Sequence, residues 1–314
     1  MKNRLTLIIT LLFCCAGFPL SAQNIEIKKL KKHIYFLADD KLQGRATGSA
    51  ELEKAAKYIE KEFKKYKLKP LGTQGFRQPF EAKVRRVTVA DSIRKAENII
   101  GFLDNGAPYT IVIGAHYDHL GLGNFGGTRE PAHIGQIHNG ADDNASGVAG
   151  LLELARYYSS NKVKEKYNLL FIAFSAEELG LIGSKYWTEH PTLPLDNIHW
   201  MLNMDMIGRY NPENGLAVIG YGTSSKFPTI FENISTPIKI NKSRDGNGGS
   251  DQTSFYRKHI PVLFFHTGGH DDYHKATDDA DKINYEALKA ILELEIKVLD
   301  NSMMQEKMDF IWTN

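Results

Sequence analysis

Apolar segments that alternate with amphipathic helical patterns constrain the fold of this chain more than any other feature. Five segments are predicted strands: TIVIGA (110–115), LLFIAF (169–174), MLNMDM (201–206), LAVIGY (216–221) and PVLFF (261–265). Several of them are apolar on both faces, as strands covered by helices on each side should be. Apolar residues recur at helical spacing in 148–155 and again from near Asn284. This alternation predicts an α/β fold with a largely parallel central sheet.

Two further helices are predicted ahead of the first of these strands. The first includes the lysine-rich KKLKK at 28–32, and its apolar face carries Ile27, Leu30, Ile34 and Leu37. We interpret these lysines as the exposed face of an amphipathic helix, and a net charge of +2 gives no indication of a nucleic-acid partner. The second helix can be capped by Ser49, and its buried face carries Leu52, Ala55, Ala56, Ile59 and Phe63.

Side chains suited to metal binding or proton transfer follow four of the predicted strands. TIVIGA leads directly into His116, and LLFIAF is followed by Glu177 and Glu178. Asp205 ends MLNMD, and His274 comes within ten residues of PVLFF. Because functional groups gather beyond the carboxyl ends of parallel strands, we expect these side chains to meet at one edge of the sheet.

The segment IHNGADDNASG (137–147) places Asp142 beside Asp143 at the predicted start of a helix. Both could be capping charges, but crowded carboxylates are also explained by cations that neutralise them. Two histidines and three carboxylates form a donor set suited to a pair of zinc ions. One bridging aspartate would hold the two ions ~3.5–4 Å apart. The sequence therefore predicts two Zn²⁺ per chain.

Five motifs occur in an order and at a spacing that resemble metallopeptidase family 28, the secreted zinc aminopeptidases related to glutamate carboxypeptidase. They are AHYDHLG, HNGADDNASG, SAEELGLIGS, LNMDMIG and DYHKATDD. Residues 37–59 also resemble the opening segment of bacterial members. The resemblance implies a single-domain, three-layer α/β/α zinc-exopeptidase fold over residues 23–314. Many relatives carry an inserted protease-associated domain, for which residues 96–118 leave no room.

The resemblance also implies how the metal ligands are divided. His116 and Asp205 would bind one zinc ion, and Glu178 and His274 would bind the other. Asp143 would bridge both ions, since it stands three places before the serine of a D-x-x-S-G pattern.

Three further residues take catalytic roles from the same resemblance. Glu177 would be the general base that takes a proton from the bridging water. Asp118 would orient the imidazole of the preceding ligand, and Tyr273 would hydrogen-bond the substrate carbonyl as it becomes an oxyanion. The chain departs from the family pattern at Gln252, where relatives often have histidine, so we expect its specificity to differ if that side chain touches substrate.

The first 22 residues have the pattern of a secretory signal. A basic start precedes an apolar segment that ends at Ser21 and Ala22. We predict cleavage after Ala22 and export to the periplasm or the exterior, without a membrane anchor. The only cysteines, Cys14 and Cys15, lie inside this segment, so the remaining chain has neither a disulfide nor a thiol nucleophile.

The same resemblance is compatible with two other functions, and one glycine pattern suggests a different site. The substrates implied are peptides with a free N-terminus, but glutaminyl cyclases share the fold and use one zinc, and some related scaffolds are non-catalytic binding proteins. Gly121, Gly123 and Gly126 match a dinucleotide-binding pattern, yet no helix is predicted after them, and we interpret them as a loop at the rim of the site. For the remaining histidines, including His119, we expect ordinary hydrogen bonding.

Overall fold

A computed structural model describes residues 24–84, 92–124 and 127–313. The predicted signal segment lies outside them. The described part contains nine strands: β1 (Lys69–Pro70), β2 (Arg77–Lys83), β3 (Ile93–Leu103), β4 (Thr110–His116), β5 (Asn168–Phe174), β6 (Ile198–Met204), β7 (Leu216–Ile219), β8 (Ile240–Ser243) and β9 (Val262–His266).

All nine strands belong to one mixed sheet with the order β1-β3-β5-β4-β6-β9-β7-β8, in which β2 also pairs with β3. The central four strands, β5, β4, β6 and β9, are parallel to one another. The flanking pairs β3–β5 and β7–β9 are antiparallel. The carboxyl ends of the four parallel strands therefore meet at one edge, as the sequence predicts.

Helices cover both faces of the sheet and give a three-layer α/β/α fold. Successive residues of β4 show this, because Ile111 and Ile113 pack on one side while Val112 packs on the other with Trp187 and Phe255. The described α-helices are α1 (Ile27–Leu37), α2 (Ala50–Lys65), α3 (Gly147–Ser160), α4 (Ile182–Glu189), α5 (Phe227–Ile230), α6 (Gln252–Tyr256) and α7 (Tyr285–Met303).

The Ser49 cap predicted from the sequence is present, and Asn284 also caps the helix predicted to begin near it. The Ser49 side chain accepts a hydrogen bond from the backbone N–H of Leu52 at 2.9 Å, which starts α2. Asn284 accepts from the N–H of Ala287 at 3.1 Å and starts α7. The buried faces of α1 and α2 carry the residues expected of them. Among the described residues, no helix is both long and apolar enough to cross a membrane.

Candidate metal centre and active site

The predicted site residues lie together at the carboxyl edge of the sheet. His116 is the last residue of β4, and Asp205 directly follows β6. Glu178 lies between β5 and α4, His274 follows β9, and Asp143 lies in the segment that leads into α3. Four strand ends and one helix entry thus bring distant parts of the chain to one place.

Asp143 lies between two groups of potential ligands. Its Oδ1 is 3.3 Å from His116 Nε2, and the same nitrogen is 3.3 Å from Asp205 Oδ1. Its Oδ2 is 3.0 Å from His274 Nε2, which is 3.4 Å from Glu178 Oε2. The two oxygens of the Asp143 carboxylate therefore face different groups, and each group includes an imidazole and a further carboxylate.

The residues of the first group fit a cation. His116 Nε2 and Asp205 Oδ1 are buried and have no hydrogen-bond partner among the described residues, although they face each other. Buried polar atoms are rarely left in this state. Imidazole nitrogen and carboxylate oxygen are the ligands that catalytic zinc sites use, so an ion between these atoms would satisfy both.

The electrostatics of the centre also favour added positive charge. Burial alone would lower the pKa of His116, but the carboxylates of Asp205 and Glu177 raise it well above its usual value. The pKa of His274 likewise rises to about 9 against the effect of burial, through Asp143 and Glu178. The neighbouring carboxylates thus favour the protonated form of both histidines, and bound cations would replace these protons.

Non-glycine residues with left-handed backbone turn the chain at the site. Ala176, which precedes the glutamate pair, has a φ of 58°, and Met206, which follows Asp205, has a φ of 56°. His274 itself has a φ of 58°. Such conformations cost of order 1–3 kcal/mol when they are strained, and they cluster where side-chain direction matters for function.

Asp118 contacts both His116 and the segment that contains Glu177. His116 Nδ1 lies 3.2 Å from the Asp118 carbonyl oxygen but 3.9 Å from its carboxylate. That carboxylate instead accepts hydrogen bonds from Thr47 Oγ1 at 2.8 Å and from the backbone N–H of Glu177 at 3.1 Å. The backbone carbonyl of Asp118 therefore lies against the His116 imidazole, while the Asp118 side chain holds the backbone of Glu177.

Glu177 and Tyr273 complete the set of residues with predicted catalytic roles. Burial and the neighbouring Glu178, Asp205 and Asp251 carboxylates raise the pKa of Glu177 well above its usual value. The ring of Tyr273 lies beside that of the adjacent histidine with a centroid distance of 3.9 Å. Their catalytic roles stay predictions.

The structure adds two residues that sequence reasoning did not place in the site. His119 Nδ1 is 2.8 Å from Glu178 Oε1 and 3.8 Å from Asp143 Oδ2, so it is a further potential ligand beside His274. The sequence signal for His119 is its position within the motif AHYDHLG. Asp251 is fully buried, and burial raises its pKa to about 7 against the opposing charge of His116.

Gln252, the departure from the family pattern, is the first residue of α6. Its side chain is fully buried on α6 and accepts a hydrogen bond from Asn203 Nδ2 of β6 at 3.2 Å. The contacts described for it are therefore with the fold, and an effect on specificity stays a prediction. The described residues 121–124 and 127–140 contain no α-helix or strand, but they include a 3-10 turn, Pro131–His133, and an isolated bridge between Ile134 and Gln136.

The sequence model of peptidase family M28 matches residues 98–299, which is well over half of the chain. The chain belongs to peptidase family M28. Leupeptin-inactivating enzyme 1 of Streptomyces exfoliatus is 36% identical over 161 residues, covering 48% of this chain and 34% of that protein. Aminopeptidase YwaD of Bacillus subtilis is 28% identical over 227 residues, covering 68% of this chain and 46% of that protein. The matches thus span less than half the length of these M28 relatives.

Solved structures similar to this M28 chain confirm the zinc-exopeptidase fold. A leucine aminopeptidase precursor from Bacteroides thetaiotaomicron superposes with a TM-score of 0.69 at 18% identity, covering 88% of this chain and 98% of that one. Porphyromonas gingivalis glutaminyl cyclase gives a TM-score of 0.68 at 18% identity, with the same coverage. The two values are nearly equal, so the fold alone does not distinguish a peptidase from a cyclase.

Proposed function

We propose that this M28 chain is a di-zinc aminopeptidase that removes N-terminal residues from peptides. The observation that carries the proposal is the arrangement of Asp143, whose two oxygens face two separate groups of ligands. His116 and Asp205 would hold one ion, and Glu178 and His274 would hold the other. Two zinc ions, when bound, would supply a Lewis acid for the peptide carbonyl and lower the pKa of a water molecule.

Glu177 would act as the general base. A carboxylate with a raised pKa is suited to accept the proton of the attacking water and to pass it to the departing amine. Its backbone is held by the bond to the Asp118 carboxylate, which fixes the strand-to-helix turn that carries it. A base held in this way needs little reorganisation during the reaction.

Tyr273 would stabilise the substrate carbonyl oxygen as it gains negative charge. Its phenol is a hydrogen-bond donor, and its ring is covered by the Arg129 guanidinium, 4.4 Å from the ring centroid. The backbone N–H of Arg129 also donates to the carbonyl of His274 at 3.0 Å. The loop at the rim of the site thus helps to hold the tyrosine and the adjacent ligand together.

The proposed substrates are peptides with a free N-terminus, encountered outside the cytoplasm after export. Residues 1–22 would be removed on the way. A centre rich in carboxylates favours approach of the cationic terminal amine. The similarity to aminopeptidase YwaD supports this substrate class.

A glutaminyl cyclase is the second candidate, and the similarity to the Porphyromonas gingivalis enzyme favours considering it. Cyclisation of N-terminal glutamine brings its own nucleophile, so one zinc ion would be sufficient. His116 and Asp205 would hold the ion that a cyclase does without, and this chain retains both residues in contact. A binding protein on the same scaffold would have no need of the complete donor set or of Glu177.

A screen of two substrate sets tests the proposal. The purified, zinc-loaded protein should release free amino acids and aniline products from aminoacyl anilides, and should leave N-terminal glutamine peptides uncyclised. Glu177→Gln serves as the matched control, because it should lose hydrolysis while the metal ligands remain. Conversion of N-terminal glutamine to pyroglutamate, with aminoacyl anilides untouched, would instead establish the cyclase.

A further inference from the structure

Arg45 is a buried arginine that has no role in the centre described so far. It is 1% exposed, and it lies between α1 and α2 in the segment that resembles the opening of bacterial relatives. Its Nε donates to the Tyr117 carbonyl at 3.0 Å, and its Nη2 donates to the Gly140 carbonyl at 3.1 Å. Its Nη1 donates to the carbonyls of Asn139, at 2.7 Å, and Leu37. Four hydrogen bonds therefore join one guanidinium to backbone oxygens from three parts of the chain.

Two of those parts carry ligands of the proposed metal centre. Tyr117 directly follows His116, the last residue of β4. Gly140 lies three residues before Asp143, in the segment that leads into α3. Through Arg45 the backbone beside one ligand is tied to the backbone beside the bridging ligand.

The segment around Arg45 makes the same connection through its backbone. The Arg45 carbonyl accepts a hydrogen bond from the N–H of His119 at 3.1 Å, and the Gly44 carbonyl accepts from the N–H of Gly121 at 3.0 Å. A side chain at Gly44 would meet the His138 and Gly121 carbonyl oxygens at 2.4 and 2.6 Å, so close approach here requires glycine.

The charge of Arg45 also acts on the centre. Each of its hydrogen-bond acceptors is a backbone carbonyl, so the guanidinium is not neutralised by a directly bonded carboxylate. Burial lowers its pKa to about 10, which leaves it charged at neutral pH, and the carboxylates of Asp143, Asp118 and Glu178 act in the opposite direction, as does Asp278, which accepts hydrogen bonds from the backbone N–H groups of Asp142 and Asp143. A fixed buried cation reduces the repulsion among these carboxylates before metal arrives.

We propose that Arg45 is a positioning residue for the metal centre, which holds the His116 and Asp143 segments at the spacing that the ions require. The inference rests on the proposed function, since it assumes that these residues bind zinc. A planar guanidinium with five fixed donors can reach acceptors in several directions at once, whereas an ammonium group presents a point charge on a flexible stem. Lysine at this position would keep the charge and lose most of the geometry.

Zinc affinity, measured by competition with a chromogenic chelator on the purified protein, tests this role without depending on activity. Arg45→Met removes both charge and geometry, and Arg45→Lys removes geometry alone. Arg156→Met is the matched control, because Arg156 is an 11%-exposed arginine on α3 that pairs with Glu153, outside the proposed ligand set. Residues that support metal ligands typically change affinity 10–100-fold when they are replaced.

We expect Arg45→Met to weaken zinc binding at least about tenfold and Arg45→Lys to weaken it by a smaller factor. Arg156→Met should leave zinc affinity unchanged while it loses about as much thermal stability as Arg45→Met. Parental affinity in a folded Arg45→Met protein would overturn the proposal. So would failure of both Arg45 variants to fold while Arg156→Met folds, since the residue would then serve the fold itself. A parent protein that binds no zinc would reject the proposed function instead.

Discussion

Glu177 and Glu178 are neighbours in the chain, yet the structure gives them different surroundings. Glu178 Oε2 lies 3.4 Å from His274 Nε2, within the second ligand group. Glu177 is affected chiefly by burial and by the charges of His116, Glu178 and Asp205, and its backbone is held by Asp118. The two carboxylates are therefore suited to proton transfer and to metal binding, respectively.

Substitution of each glutamate by glutamine separates these roles. Glu177→Gln should keep zinc and fold while kcat falls ~10²–10⁴-fold, because only proton transfer is lost. Glu178→Gln should lower the zinc content, because an amide oxygen is a weaker ligand than a carboxylate. Metal analysis beside steady-state kinetics checks both. Normal zinc in both variants, with only Glu178→Gln inactive, would show that the roles are reversed.

A second pair of variants distinguishes the two histidines near Glu178. His274 Nε2 is close to both Asp143 and Glu178, whereas His119 makes its short contact with Glu178 alone. We expect His274→Ala to lose about one zinc equivalent and His119→Ala to retain zinc with altered affinity. The opposite result in metal analysis would make His119 the ligand.

Sequence reasoning placed His116, Asp143, Glu178, Asp205 and His274 together because each follows a strand or starts a helix in a recognisable motif. It did not place Asp251 or Arg45, since their connections to the site come from chain segments far apart in sequence. Arg45 bonds only to backbone carbonyls, and a backbone carbonyl leaves no trace in the residue types. Contacts of this kind can be recognised only in the three-dimensional structure.

At the scale of elements, four of the five strands identified from the sequence, β4, β5, β6 and β9, are buried over all or nearly all of their length, whereas β7 alternates between buried and half-buried residues. Every residue of β4 and β5 is buried, so their apolar composition was a clear signal. Strands β2 and β3 alternate between buried and exposed residues over part of their length, and β8 is mostly exposed. Short helices such as α6 span too few turns to show a periodic pattern.

The contact between α1 and α2 includes a buried carboxylate whose effect on stability should depend on pH. Glu62 is 4% exposed and accepts hydrogen bonds from Lys32 at 2.9 Å and from Lys65 at 3.1 Å. Burial acts to raise the pKa of Glu62, but these lysines and Tyr66 lower it to about 2. Because the folded-state pKa lies below the unfolded value, the stabilisation is complete above about pH 4.5 and is lost as pH falls towards 2.

Glu62→Gln should therefore lower the free energy of unfolding by about 1 kcal/mol at pH 7, and the difference should narrow as pH falls below 4.5. Urea titrations of parent and variant across this range measure it. Glu26→Gln is the control, since it removes an exposed ion pair with Lys29 on α1 and should change stability less. If the difference in the free energy of unfolding between parent and Glu62→Gln stays constant or widens on acidification, the result would contradict a lowered pKa of Glu62 in the folded state.

At the scale of the whole molecule, both faces of one nine-stranded sheet are packed with helices, and the described residues contain no cysteine. Burial of apolar side chains, rather than cross-linking, therefore holds the strand ends in place. The proposed ligands come from positions 116 to 274, so the proposed centre depends on the fold of most of the chain. Zinc binding and global stability should be coupled for this reason.

The number of zinc ions bound per purified chain distinguishes a two-ion centre from a one-ion centre. We expect close to two zinc equivalents per chain in the parent. Asp205→Asn and His116→Ala should each bind about one and should lose most hydrolysis of aminoacyl anilides. These two residues belong to the same ligand group, so their variants should behave alike. A parent that holds a single tight zinc ion, and whose zinc content is unchanged by either substitution, would contradict a two-ion centre.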